Sequence, residues 1–153
     1  MDRSFEPIPL RSPLSKKISI PLTTDSISAG FPSPADDYLD VGIDLNEHLI
    51  QHPASTFFLH VNGSSMTNTG IHDGDLLIVD KSLNPEPGNV VVAVLDGSFT
   101  VKRLVHEKGK VYLTADSPNY QPINLRYYSD VYIWGVAIYS IHTINRNKKY
   151  SNP

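Results

Sequence analysis

Apolar positions in this chain gather in short runs bounded by turn residues. From Thr56 onward the runs are rich in Val, Ile, Leu and Phe and are separated by Gly, Pro, Asn and Asp, the pattern of strands joined by turns. The pattern predicts strands over 56–61, 75–80, 89–95, 98–106, 110–115 and 131–144, with Gly135 as a point where the last can break. Asp96-Gly97, between two apolar runs, predicts a two-residue hairpin turn, and Lys108-Gly109 predicts a second. Pro118 and Pro122 fall in a loop, where a missing N–H does not interrupt a ladder. One short helix is expected over 43–51, with Ile43, Leu45, Leu49 and Ile50 apolar, Asp44 or Asp40 as its cap and Pro53 just beyond.

The N-terminal part reads differently. Prolines 7, 9, 13, 21, 32 and 34 are too closely spaced for a helix, so residues 1–40 are expected to be an extended arm. Apolar residues along it, among them Phe5, Ile8, Leu14 and Ile20, equip it to dock on a surface. Residues 41–144 then form the body and 145–153 a polar tail. The fold class expected is mostly β.

Composition narrows the chemistry. At 153 residues the chain has the size of one ordinary domain with a substantial core. A formal charge of −3 is not the footprint of a nucleic-acid binder. With no cysteine, a disulfide framework, a thiolate metal site and a cysteine nucleophile are excluded, and a cytoplasmic location is expected. The N-terminus has no apolar segment of the secretory type, and no apolar run approaches the length of a membrane span. His48 and His52 are four apart, but no glutamate stands between them and Pro53 follows at once. Asp73 and Asp75 flank Gly74 without the rest of a calcium-loop pattern. No metal and no cofactor are expected.

Two residues stand out. Ser65 lies in Val61-Asn62-Gly63-Ser64-Ser65-Met66, a tight turn between apolar runs. A Gly-Ser-Ser turn is ordinarily only a turn. A serine on such a rigid frame, however, exposes its hydroxyl, and the N–H of Ser65 with that of a neighbour can form an oxyanion hole, with Ser64 and Met66 as its expected lining and Met66 adding an apolar wall. Lys102 stands inside the strand Phe99-Thr100-Val101-Lys102-Arg103-Leu104-Val105. Its ordinary role is to snorkel into water. A catalytic role needs the amine neutral. Lowering its pKa from ~10.4 to about 7–8 disfavours the charged form by roughly 3–4.5 kcal/mol, which burial against apolar side chains supplies. A neutral lysine can then take a serine proton in place of histidine.

These residues sit in a longer ordered series. Ala29-Gly30-Phe31-Pro32 is followed by Ile43-Asp44-Leu45-Asn46, Leu49-Ile50-Gln51-His52-Pro53 and Gly63-Ser64-Ser65-Met66. Then come Asp73-Gly74-Asp75-Leu76-Leu77-Ile78-Val79-Asp80 and Asp96-Gly97-Ser98-Phe99-Thr100-Val101-Lys102. From about Ile20 to Thr143 the chain resembles the UmuD/MucA family of self-cleaving mutagenesis proteins, relatives of the LexA peptidase domain. The resemblance implies a LexA/signal peptidase-like β-fold, Ser65 as nucleophile, Lys102 as general base and Ala29–Gly30 as the bond cut. UmuD itself has cysteine before that glycine; the alanine here is closer to MucA or LexA.

The resemblance further implies a homodimer with its arms lying across the bodies, cleavage stimulated by a RecA nucleoprotein filament, and a Y-family, UmuC-like polymerase catalytic subunit and the sliding clamp as partners. Only 29 proline-broken residues precede the bond, so a repressor's DNA-binding domain is not expected. The chain from Gly30 to Ser65 can extend to roughly 115 Å at ~3.3 Å per residue, so attack within one chain and on a partner are both open. The rival reading is a non-catalytic polymerase-interaction module with a relic site. A signal peptidase-like enzyme would require a membrane anchor.

Overall fold

The structure is a computed structural model and describes residues 17–23, 27–32 and 39–145. Most of the expected arm and nearly all of the expected tail lie outside these residues. The described residues fall into two compact units, divided between Pro53 and Ala54.

In the first unit a two-stranded antiparallel ladder pairs β1 (Ile20–Thr23) with β2 (Leu39–Ile43). The prolines argued only for irregular chain here. Pro21 is tolerated because a ladder of two strands consists of edges, where a missing donor leaves no partner unpaired. The helix α1 (Leu45–Leu49) is shorter than the span expected from apolar spacing. Asp44 is its cap, its carboxylate accepting the N–H of Asn46 at 2.8 Å and that of Ile18 at 3.1 Å.

The second unit carries a seven-stranded antiparallel sheet. Its strands are β3 (Thr56–His60), β4 (Leu76–Asp80), β5 (Val90–Leu95), β6 (Ser98–Glu107), β7 (Lys110–Thr114), β8 (Ile123–Asn124) and β9 (Val131–Ile141), in spatial order β3-β4-β9-β5-β6-β7-β8. Among the described residues the fold is therefore mostly β with one short α-helix, as the sequence predicts. Within this sheet β8 is the strand the pattern missed, being only two residues long.

Both tight turns form where expected. Asp96 and Gly97 have φ of 46° and 83°, and Lys108 and Gly109 have 50° and 72°. Positive φ at both central positions gives the backbone twist that matches paired strands. The unbroken apolar run of β5 is explained by burial on both faces. Val91, Ala93 and Leu95 pack with Leu104, Leu113 and Val136 on one side, while Val92 packs with Met66, Ile71, Leu77 and Val79 on the other.

β9 does not break at Gly135. It bulges there instead: Val92 pairs with Gly135 and Ala93 with Ile133, leaving Trp134 as the extra residue. The Trp134 ring lies 5.2 Å from Phe57 of β3 and 5.5 Å from Phe99 of β6, so the bulge ties together strands on either side of β9. A Cβ at Gly135 would meet Val79 Cγ1 at 2.5 Å. Glycine is required here for close approach of β9 to β4.

Candidate active site

Ser65 sits in the connection from β3 to β4, held at both ends. Val61 N–H donates to Asp75 O at 2.9 Å, Gly74 N–H returns to Val61 O at 2.8 Å, and Gly63 N–H reaches the Asp73 carboxylate at 2.7 Å. Gly63 has φ 101°, a value that needs glycine. After Ser65 the chain is anchored by Met66, whose side chain is buried and whose carbonyl accepts the N–H groups of Thr69 and Ile71. Ser65 is thus clamped between a two-bond loop base and a buried side chain.

Lys102 comes from β6. β7 pairs with β6 only from Arg103 to Glu107, so residues 98–102 have a ladder partner, β5, on one side. The lysine lies at the end of that open edge. Its Nζ is 2.9 Å from Ser65 Oγ, 3.0 Å from Thr100 Oγ1 and 3.0 Å from Val101 O. Burial lowers its pKa below the usual lysine value.

Three acceptors match the three N–H donors of an ammonium. A neutral amine has two, and Thr100 and Val101 can hold both, which leaves the lone pair for the Ser65 hydroxyl. The geometry therefore suits proton transfer from Oγ to Nζ. The pair opens into a cleft of about 180 Å³ whose apolar walls include Leu59, Val61, Val92 and Phe99.

The remaining expected residues are placed as follows. Ser64 is exposed and its Oγ is 3.5 Å from the Tyr120 hydroxyl. The N–H groups of Ser65 and Met66 donate to no carbonyl among the described residues. Ala29 and Gly30 belong to the other unit, in an exposed bend where Gly30 N–H donates to Ser28 Oγ at 3.3 Å. A Cβ built on Gly30 meets nothing within 4 Å, so this conformation would also accept alanine.

A polar clamp beside the pair was not anticipated. Arg103, next to Lys102, donates from Nε to Asp116 Oδ2 at 2.8 Å and from Nη2 at 2.5 Å. Nη2 also reaches Thr69 Oγ1 at 2.9 Å, Nη1 reaches Gly88 O at 2.6 Å, and Thr69 donates to the same Asp116 oxygen. Asn68 N–H donates to Asp116 O at 2.9 Å. The segment after Ser65 is thereby fastened to the strand that carries Lys102. Arg103 holds the Asp116 carboxyl below the usual range, assisted by Thr69.

An antiparallel β body that brings a clamped serine against a half-buried lysine has the architecture of the LexA-like serine peptidases. The chain belongs to the Peptidase S24-like family, whose model matches residues 21–138. Within it the chain falls in the UmuD/MucA group. It is 44% identical to protein MucA from Escherichia coli over 135 residues, 83% of this chain and 87% of MucA. To protein ImpA from Salmonella typhimurium it is 43% identical over 123 residues, 80% of this chain and 83% of ImpA. To the LexA repressor of Ectopseudomonas mendocina it is 38% identical over 99 residues, 65% of this chain but 48% of the repressor. Among the described residues no helix is long and apolar enough to cross a membrane.

Proposed function

We propose that this protein cuts its own Ala29–Gly30 bond, with Ser65 as nucleophile and Lys102 as general base. The observation that carries the reading is the 2.9 Å approach of Lys102 Nζ to Ser65 Oγ, with the lysine pKa lowered by burial. Neutral Lys102 takes the hydroxyl proton as Oγ attacks the Ala29 carbonyl carbon. The N–H groups of Ser65 and Met66 stabilise the oxyanion, and Ser64 helps to shape that wall. Lys102 then delivers the proton to the Gly30 nitrogen, which leaves. Water, deprotonated by the same amine, releases the acyl group from Ser65 and restores the pair. A small side chain before the bond demands little room, and tethering gives the bond a high effective concentration.

In the cell the reaction belongs to the cytoplasmic SOS response to DNA damage. A RecA nucleoprotein filament stabilises the arm conformation that seats the bond. The homodimer of chains shortened to residues 30–153 then serves a UmuC-like, Y-family polymerase in translesion synthesis, with the sliding clamp as a further partner. The support for these roles is membership of the UmuD/MucA group.

The test is mass spectrometry of the purified protein, alone and with activated filament, beside Ser65→Ala. A fragment beginning at Gly30, absent in the variant, is expected. Cleavage that persists in folded Ser65→Ala removes the assignment. No fragment under any condition favours the rival reading, a polymerase-interaction module with a relic site.

A further inference from the structure

Away from the cleft, the loop leading into β4 meets the end of β9. Asp75, immediately before β4, has a side chain only 1% exposed. Its Oδ2 accepts His72 N–H at 2.8 Å and Ser140 Oγ–H at 3.0 Å, while Oδ1 lies 2.5 Å from His142 Nδ1. His72 Nδ1 is 3.7 Å from Oδ2 and, although buried, has no hydrogen-bond partner among the described residues. The two imidazoles lie side by side, ring centroids 4.6 Å apart, both with Nδ1 toward the same carboxylate. The three ligand atoms fall within 4.8 Å of one another.

We propose that His72, Asp75 and His142 form a binding site for one divalent transition-metal ion of the zinc type. Zinc takes imidazole nitrogen and carboxylate oxygen at about 2.0–2.2 Å, which sets tetrahedral ligands roughly 3.3 Å apart. The separations of 2.5 Å and 3.7 Å lie on either side of that value, and small rotations of two half-exposed rings reach it. Two imidazoles with one carboxylate select zinc, cobalt or nickel over calcium and magnesium, which require oxygen-rich shells.

The surroundings are those of a supported ligand set. His72 N–H and Ser140 hold Oδ2 and orient the carboxylate, the outer-shell arrangement that metal sites use. His142 needs only to carry its proton on Nε2 for Nδ1 to face the ion. His72 Nδ1, a buried acceptor with nothing to accept, gains a partner. Three protein ligands leave the fourth tetrahedral position to water or to a donor from a second molecule. The ion would staple the Ser65-bearing loop to the last strand.

The experiment is a Zn2+ titration of the full chain after EDTA treatment and desalting, followed by calorimetry, melting temperature and histidine Cε1–H NMR, with Co2+ absorption reporting geometry. One equivalent should bind, raise Tm by mass action and shift the His72 and His142 resonances. His72→Ala and His142→Ala should each weaken binding by at least about tenfold, while His48→Ala and His106→Ala leave it unchanged. Absence of Zn2+ binding overturns the proposal, as does binding that survives both ligand variants or falls equally in His48→Ala. If a ligand variant does not fold, the NMR shifts of the unmodified chain decide alone. Movement of resonances other than these two refutes the site.

Discussion

Arg103 and Asp116 meet through two N–H donors on one carboxylate oxygen, with Thr69 as a third partner. Because Arg103 follows Lys102 and Thr69 lies four residues after Ser65, this contact ties the segment after Ser65 to the strand that carries Lys102 without touching either side chain.

Removing the contact should therefore affect chemistry and stability together. Asp116→Asn is expected to lower stability at pH 7 by about 1–2 kcal/mol, the scale of a lost charge-assisted hydrogen bond discounted for partial exposure, and to slow self-cleavage. Asp116 has a folded pKa below its unfolded value, so its stabilisation is full above about pH 4 and is lost as pH falls through the folded value. Urea denaturation of both proteins at pH 7 and in acid should show the difference closing. A gap that stays constant into acid would rule out the carboxylate as its source.

Lys102 gives the opposite sign. Burial lowers its folded pKa, so the folded chain holds fewer protons than the unfolded chain between the lowered value and about 10.4, and stability rises with pH across that window. Lys102→Met is expected to raise Tm at pH 7, with a gain that shrinks toward pH 10, while reducing cleavage by roughly 10²–10⁴-fold. Parallel melting curves at the two pH values, with no change in the gain, would contradict a buried charge at this position.

The cleavage rate itself should follow the neutral fraction of Lys102. Below the lowered pKa it should rise about tenfold per pH unit, then level off before the ordinary lysine value is reached. Fragment accumulation timed by mass spectrometry gives the profile. A flat profile from pH 6 to pH 9 would mean that another group accepts the Ser65 proton.

Gly135 is the structural counterpart. Its added Cβ would stand 2.5 Å from Val79 Cγ1, and Val79 is fully buried and cannot retreat. Gly135→Ala should cost about 1–3 kcal/mol, measured by chemical denaturation. Unchanged stability would show that β4 and β9 are free to separate there.

The legible features were local ones. Asp96-Gly97 and Lys108-Gly109 declare their turns because two adjacent residues decide the backbone. The six longer strands of the body were legible from apolar runs, with ends within a few residues. The β1–β2 ladder was hidden because proline spacing excludes a helix but says nothing about pairing across the chain. Ser65 and Lys102 were separately visible as a serine in a turn and a lysine in an apolar strand; their apposition was expected only through family resemblance. Strand alternation places Thr100 on the same face as Lys102, but it does not reveal that the Thr100 hydroxyl meets Nζ. Arg103–Asp116 and His72–Asp75–His142 join segments whose approach is decided by sheet order, so spacing along the chain carries no sign of them.

That sheet order has a consequence for synthesis. Ser65 hangs between β3 and β4, Lys102 lies on β6, and in the sheet β9 stands between those two groups of strands. The stretch from Val90 to Thr114 can zip up early through its two short turns, since nearby pairings close first. In the sheet β3 and β4 join it by way of β9, which is translated after all the other described strands. On this order Ser65 and Lys102 come together only once the chain has been translated through Ile141, so a nascent chain, or one truncated before β9, would lack the assembled pair on which the proposed self-cleavage depends.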